Sequence, residues 1–143
     1  MLILNNTLLL LLLNKENLNS ISPFLKKLIS KMAFYEHTFV GKQDLSNKEI
    51  DSLVNKYSEI INQSGNILKT EKWGILNLAK KIKKNRKGVF VHFKFEGDNK
   101  IVSDIEKKLS IENGVIRYLT VKYNKLDLKN EYFGERKKID EKK

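Results

Sequence analysis

The chain contains no cysteine. That excludes a disulfide framework, thiol catalysis and a zinc site built on cysteine, and it fits a reducing compartment. Proline occurs once, at Pro23, so no strand or helix downstream of it is interrupted by that residue type. Histidine occurs twice, at His37 and His92, each inside a strand pattern. Two histidines without a cluster of acids make a poor metal site and a poor general acid–base pair. No catalytic residue, metal ligand, cofactor or small-molecule substrate is therefore assigned. The six consecutive leucines Leu8–Leu13 lie in an apolar run that stops at Asn14, too short to span a bilayer. Its start, Met1-Leu2-Ile3-Leu4-Asn5, lacks the positive charge of a secretory signal, and no small-residue cleavage site follows. No membrane partner is expected.

Positive charge is plentiful. Twenty-eight lysines and arginines outnumber 17 aspartates and glutamates, for a net charge of +11. Such an excess points to a polyanionic partner. With 143 residues, 41% hydrophobic and 31% charged, the chain suits one soluble domain with appendages.

The charge concentrates in one stretch, Trp73–Phe95 (WGILNLAKKIKKNRKGVFVHFKF). Two apolar strands, roughly 69–82 and 89–95, flank a turn region carrying Lys80, Lys81, Lys83, Lys84, Arg86 and Lys87. The nearest acids, Glu71 and Glu96, stand at the outer ends. A hairpin with a cationic tip suits phosphate better than a neutral ligand, which makes Lys80, Lys83, Lys84, Arg86 and Lys87 candidate RNA contacts. A turn merely kept soluble by lysines is the plainer alternative.

From Met32 onward the pattern is regular. Phe34–Val40 is aromatic and β-branched, a first strand. Ser46-Asn47-Lys48-Glu49 matches a capping box, and Ile50, Leu53, Val54, Tyr57, Ile60 and Ile61 recur at helical spacing behind it. Gly65 is expected as a left-handed helix cap. Gly74 is expected at a bulge or a close backbone approach in strand two. In strand three Val89, Val91, Phe93 and Phe95 share one face, and Phe90, His92 and Lys94 the other. Ile101, Val102, Ile105 and Leu109 stripe a second helix, and Val115–Tyr123 is a fourth strand. The order strand, helix, strand, strand, helix, strand predicts a ferredoxin-like α+β sandwich, with a four-stranded antiparallel sheet and both helices on one face. The second face is expected to be open. Residues 125–143 read as a charged, mobile tail.

That fold hosts unrelated functions. An acylphosphatase-like enzyme needs an arginine-bearing phosphate loop after strand one, and Gly41-Lys42-Gln43-Asp44 has no arginine. An RNA-recognition motif stacks bases on aromatics of strands one and three, and Lys87-Gly88-Val89-Phe90-Val91-His92-Phe93 with Tyr35 imitates it imperfectly. A small-ligand regulatory (ACT-like) domain of the same topology is a third possibility. These alternatives stay open on the residues alone.

Tyr35-Glu36, Trp73-Gly74, Leu78-Ala79, Ile82-Lys83 and Val115-Ile116-Arg117 together resemble the family of the sixth protein of the bacterial small ribosomal subunit. In that family's hairpin signature Gly74, Asn77, Leu78, Ala79, Ile82 and Lys83 fit, while Leu76 replaces a basic residue and Lys80 a tyrosine. The resemblance implies a non-catalytic structural constituent of the small subunit, cytoplasmic or in an organellar ribosome. It implies binding to 16S ribosomal RNA together with the small-subunit ribosomal protein S-eighteen. It adds Arg117 and Lys122 of strand four as RNA or partner contacts, matching basic positions of the family, and Tyr35 as a contact from strand one.

The resemblance starts at Met32, and residues 1–31 are expected to be an extension outside the fold, with Met32 the working initiator and 32–124 the domain. Mass spectrometry of the native protein should find its N-terminus at or just after Met32. A mature chain beginning at Met1 overturns this reading.

Overall fold

The structure, a computed structural model, describes Pro23 and residues 32–132. The expectations for residues 1–31 (Pro23 apart) and for 133–143 fall outside the described residues. Six elements follow one another: β1 (Ala33–Lys42), α1 (Asn47–Asn62), β2 (Asn66–Ile82), β3 (Asn85–Gly97), α2 (Asn99–Ser110) and β4 (Val115–Tyr123). The strands form one antiparallel sheet in the order β2-β3-β1-β4. This is the ferredoxin-like βαββαβ arrangement that the element order predicts.

Local chemistry starts each helix. The Ser46 hydroxyl accepts from the Glu49 amide and the Glu49 carboxylate accepts from the Ser46 amide, a complete capping box. Asp98 caps α2 by accepting from the Ile101 amide at 3.0 Å. All six apolar residues of the α1 stripe are buried, and so are Ile101, Ile105 and Leu109 of α2. They meet Tyr35 and Phe39 of β1 and Val89, Val91, Phe93 and Phe95 of β3 in a single core. The alternation predicted for β3 is the one observed, since its odd-numbered residues supply the core.

Two local expectations change, for the hairpin's length and for Gly65, and the one for Gly74 is narrowed to a bulge. β2 begins at Asn66 and β3 spans Asn85–Gly97, so the hairpin is longer than the apolar runs indicate. Gly65 is not left-handed; a Cβ there would meet the Glu96 carbonyl at 2.5 Å, so glycine admits a close backbone crossing. Gly74 has φ of +77° at a register shift between Lys72 and Gly74, a bulge with open space around it. Trp73 is the extra residue.

The histidines part company. His37 pairs in register with Phe93 and faces the helices, whereas His92 pairs with Thr38 on the second face. Thr120 donates its hydroxyl proton to Glu106 at 2.9 Å, so it accepts from His37 Nδ1–H at 2.8 Å, which fixes the tautomer. Burial, and next the charge of His92, lower the His37 pKa from 6.5 to about 4. The unfolded chain thus takes up a proton near pH 6.5 that the folded chain refuses until about pH 4. Stability is complete above that window and falls as the pH drops through it. Urea unfolding should show up to about 3 kcal/mol of this loss, and His37→Gln should flatten it, leaving the slope that His92 contributes, its pKa also lowered chiefly by burial. An identical pH slope in the variant counts against the assignment.

Candidate nucleic-acid interface

Pairing of β1 with β3 ends at Lys42 opposite Gly88. Beyond that point β2 and β3 continue alone as a two-stranded ribbon, through Asn77 opposite Lys87 to Ile82 opposite Asn85. The ribbon closes on Lys83 and Lys84, with φ of 46° and 69°. Two positive φ values make the turn twist with the strands, a geometry in which asparagine and glycine are the usual residues. Asn85 supports it by donating its side-chain amide to the carbonyls of Ile82 (3.3 Å) and Lys83 (3.0 Å). Between Asn77 and Ile82 the register shifts, because five steps along β2 face two along β3.

Lys80, Lys81, Lys83, Lys84, Arg86 and Lys87 are all exposed on this ribbon. The turn itself holds only Lys83 and Lys84; the other four stand on its strands. Among the described residues no carboxylate lies within 4.0 Å of any of the six. The sequence therefore brings six solvated cations onto one projecting arm, with no acid among the described residues to occupy them. Two residues were missed. Asn85 holds the turn, and Gln43, in the β1–α1 loop, accepts from the Lys87 amide at 3.3 Å and ties the arm's base to the body.

The other candidates scatter. Arg117 is exposed and pairs with Val40, at the hairpin end of the sheet. Lys122 is exposed but pairs with Tyr35, near the opposite end. Five residues of strand separate them by roughly 17 Å, so they do not form one site. Tyr35 is corrected outright. It is 3% exposed, faces the helices, stacks on Phe95 at 5.5 Å and donates its hydroxyl to Asn99 Oδ1. Burial, then the Asp98 charge, raise its pKa. As a core residue it cannot touch RNA, because its even-numbered neighbours occupy the outer face.

The second face of the sheet is covered rather than open. Lys94 is fully buried there, beside Glu36 (3.9 Å) and Glu71 (3.8 Å). Residues 124–132 cross over it as a strap, and Lys94 donates to the carbonyl oxygens of Asp127 (2.5 Å) and Asn130 (3.4 Å). Tyr132 ends the strap, with its ring 4.8 Å from the Lys94 ammonium and its hydroxyl donating to both Glu36 oxygens at 3.0 and 3.1 Å. Desolvation alone would raise the Glu71 carboxyl. The Trp73 indole N–H at 2.8 Å, with Lys69 and Lys94, holds it below its ordinary value instead. The expectation that the chain has no place in the fold from Lys125 onward is corrected up to Tyr132, because a buried ammonium needs those carbonyls.

The same cover removes the base-stacking platform. His92 is 3% exposed beneath Trp73, which stacks on it at 4.8 Å and on Phe90 at 6.3 Å. Between the strap and β4 a shallow groove of about 460 Å³ remains, walled by Leu119, Val121, Tyr123 and Tyr132 over a floor of Thr38 and His92.

Residues 34–122 match the model of the ribosomal protein S6 family. The chain is 44% identical over 112 residues to small ribosomal subunit protein bS6 of Pelagibacter ubique (strain HTCC1062), covering 78% of this chain and 93% of that one. It is 40% identical over 92 residues to bS6 of Parvibaculum lavamentivorans (strain DS-1 / DSM 13023 / NCIMB 13966), covering 64% and 59%. The 30S ribosomal protein S6 of Thermotoga maritima shares the fold, with a TM-score of 0.61 at 23% identity over 79% of this chain and all of that one. With more than half its length matched, and a relative above two-fifths identical along nearly its whole extent, the chain belongs to the ribosomal protein S6 family and is a structural, non-enzymatic member of it.

Proposed function

We propose that this protein is a constituent of the small subunit of a cytoplasmic ribosome that binds 16S ribosomal RNA through its projecting hairpin, alongside the small-subunit ribosomal protein S-eighteen. The observation that carries the reading is the arm of six exposed cations with no acid within reach among the described residues. Phosphate attraction is strongest where cations are solvated and uncompensated, and the affinity it supplies falls with salt. Arg117, at the hairpin end of the sheet, extends the same surface, whereas Lys122 suits a separate contact with RNA or with the protein partner. RNA shape supplies selectivity, since deep-groove base edges in an A-form helix are out of reach of side chains.

Replacing Lys83, Lys84 and Arg86 together with glutamine should weaken binding to a 16S central-domain fragment. It should also lower the salt slope of log K by about two to three. The far-ultraviolet circular dichroism should stay unchanged, because all three side chains are exposed. An unchanged slope in a filter-binding titration overturns the hairpin contact.

A further inference from the structure

The turn that closes the arm runs against local preference. Lys83 and Lys84 both have positive φ, 46° and 69°, at the two positions where asparagine followed by glycine is the usual pair. A residue with a Cβ stays in such a conformation only where its surroundings impose it, and outliers of this kind gather at functional positions. An asparagine stands at the next position, Asn85, yet it serves as support, donating its amide to the carbonyls of Ile82 (3.3 Å) and Lys83 (3.0 Å). Strained backbone and uncompensated charge therefore coincide. Among the described residues no carboxylate lies within 4.0 Å of either lysine, and both side chains are exposed.

The six cations of the arm are also held differently. Lys80 and Lys81 lie where the register shifts, five steps of β2 facing two of β3, so the neighbouring strand does not fix them one by one. Lys83 and Lys84 close the ribbon at its outermost point, between the paired residues Ile82 and Asn85. A cation on a fixed backbone loses less freedom on meeting a phosphate than one on an irregular stretch.

We infer that Lys83 and Lys84 are the arm's primary contact with RNA phosphates, that the left-handed turn is retained, although it destabilises the fold, because it presents these two ammonium groups at the tip, and that Asn85 is the positioning residue that holds them there. This deepens the hairpin half of the proposed function and rests on it.

The test compares variants of the full chain for filter binding to a 16S central-domain fragment and for thermal unfolding. Lys83→Asn with Lys84→Gly should raise Tm by about 4 °C as the turn relaxes. The same pair should weaken binding by about tenfold or more and lower the salt slope by about two. Lys80→Gln with Lys81→Gln removes equal charge and should cost at least about threefold less affinity. Asn85→Ala removes no charge. It should weaken binding by about fivefold beside the native lysines, but by less than about twofold in the Lys83→Asn, Lys84→Gly background, whereas a general loss of structure would show in both. Equal or larger losses from the Lys80 and Lys81 pair mean that the cations act by number alone; they overturn the inference and leave the hairpin reading standing. An unchanged or lower Tm for the Lys83 and Lys84 pair overturns it too, as does an equal effect of Asn85→Ala in both backgrounds. If neither lysine pair alters affinity or slope, it is the hairpin reading that fails.

Discussion

Lys94 sits fully buried on β3, the strand that contributes most to the core, and its ammonium must be satisfied without water. Desolvating such a group costs several kcal/mol unless charges and acceptors replace the lost hydration. Here two carboxylates, two carbonyl oxygens and the face of a tyrosine surround it. The carbonyls belong to residues 127 and 130, some thirty positions further along the chain. Packing of the sheet therefore draws a short segment, with Leu126, Leu128 and Tyr132 among polar residues, across it. That segment in turn places Tyr132 opposite β4 and converts a flat face into a groove.

One consequence is a division of charge. At the centre of the second face Lys94 and Lys69 are matched with Glu36, Glu71 and Glu131. These three carboxylates are thus spent on internal partners. On the hairpin no acid among the described residues is near, and six cations face solvent. The net charge is not spread evenly, so the field that a polyanion meets is concentrated at one end of the molecule.

The layered fold could be read directly, since the capping box, the α1 stripe and the β3 alternation each follow from side chains within a few residues of one another. What escaped was non-local. Tyr35 looked available because an isolated strand has two equivalent faces, and only its pairing with Phe95 and the hydrogen bond to Asn99 choose between them. Gly65 looked like a cap because it follows a helix, yet its role is set by Glu96, which crosses close to it. The strap was invisible for a related reason. Lys125–Asn130 has only two leucines, Leu126 and Leu128, in too short a run to mark an element, and its place depends on backbone carbonyls meeting a lysine on the strand face expected to be open. The positions of the hairpin cations were legible from charge alone, but their freedom from acids was not.

The turn of the hairpin shows what the surrounding structure supports. Lys83 and Lys84 occupy left-handed backbone conformations, each costing about 1–2 kcal/mol for a residue with a Cβ. Asparagine followed by glycine would relieve that strain and remove two of the six charges. The strain is instead borne by Asn85, which pins two turn carbonyls, by Gln43 at the arm's base, and by β3 itself, one continuous strand from Arg86 to the buried Phe93 and Phe95. A two-stranded ribbon is marginal by itself, and anchoring through a core strand makes it a rigid extension of the sheet. Cations on such an arm lose less conformational freedom on meeting a phosphate backbone than cations on a loose loop. The strain in the turn is consistent with a surface whose function depends on where its charges are held.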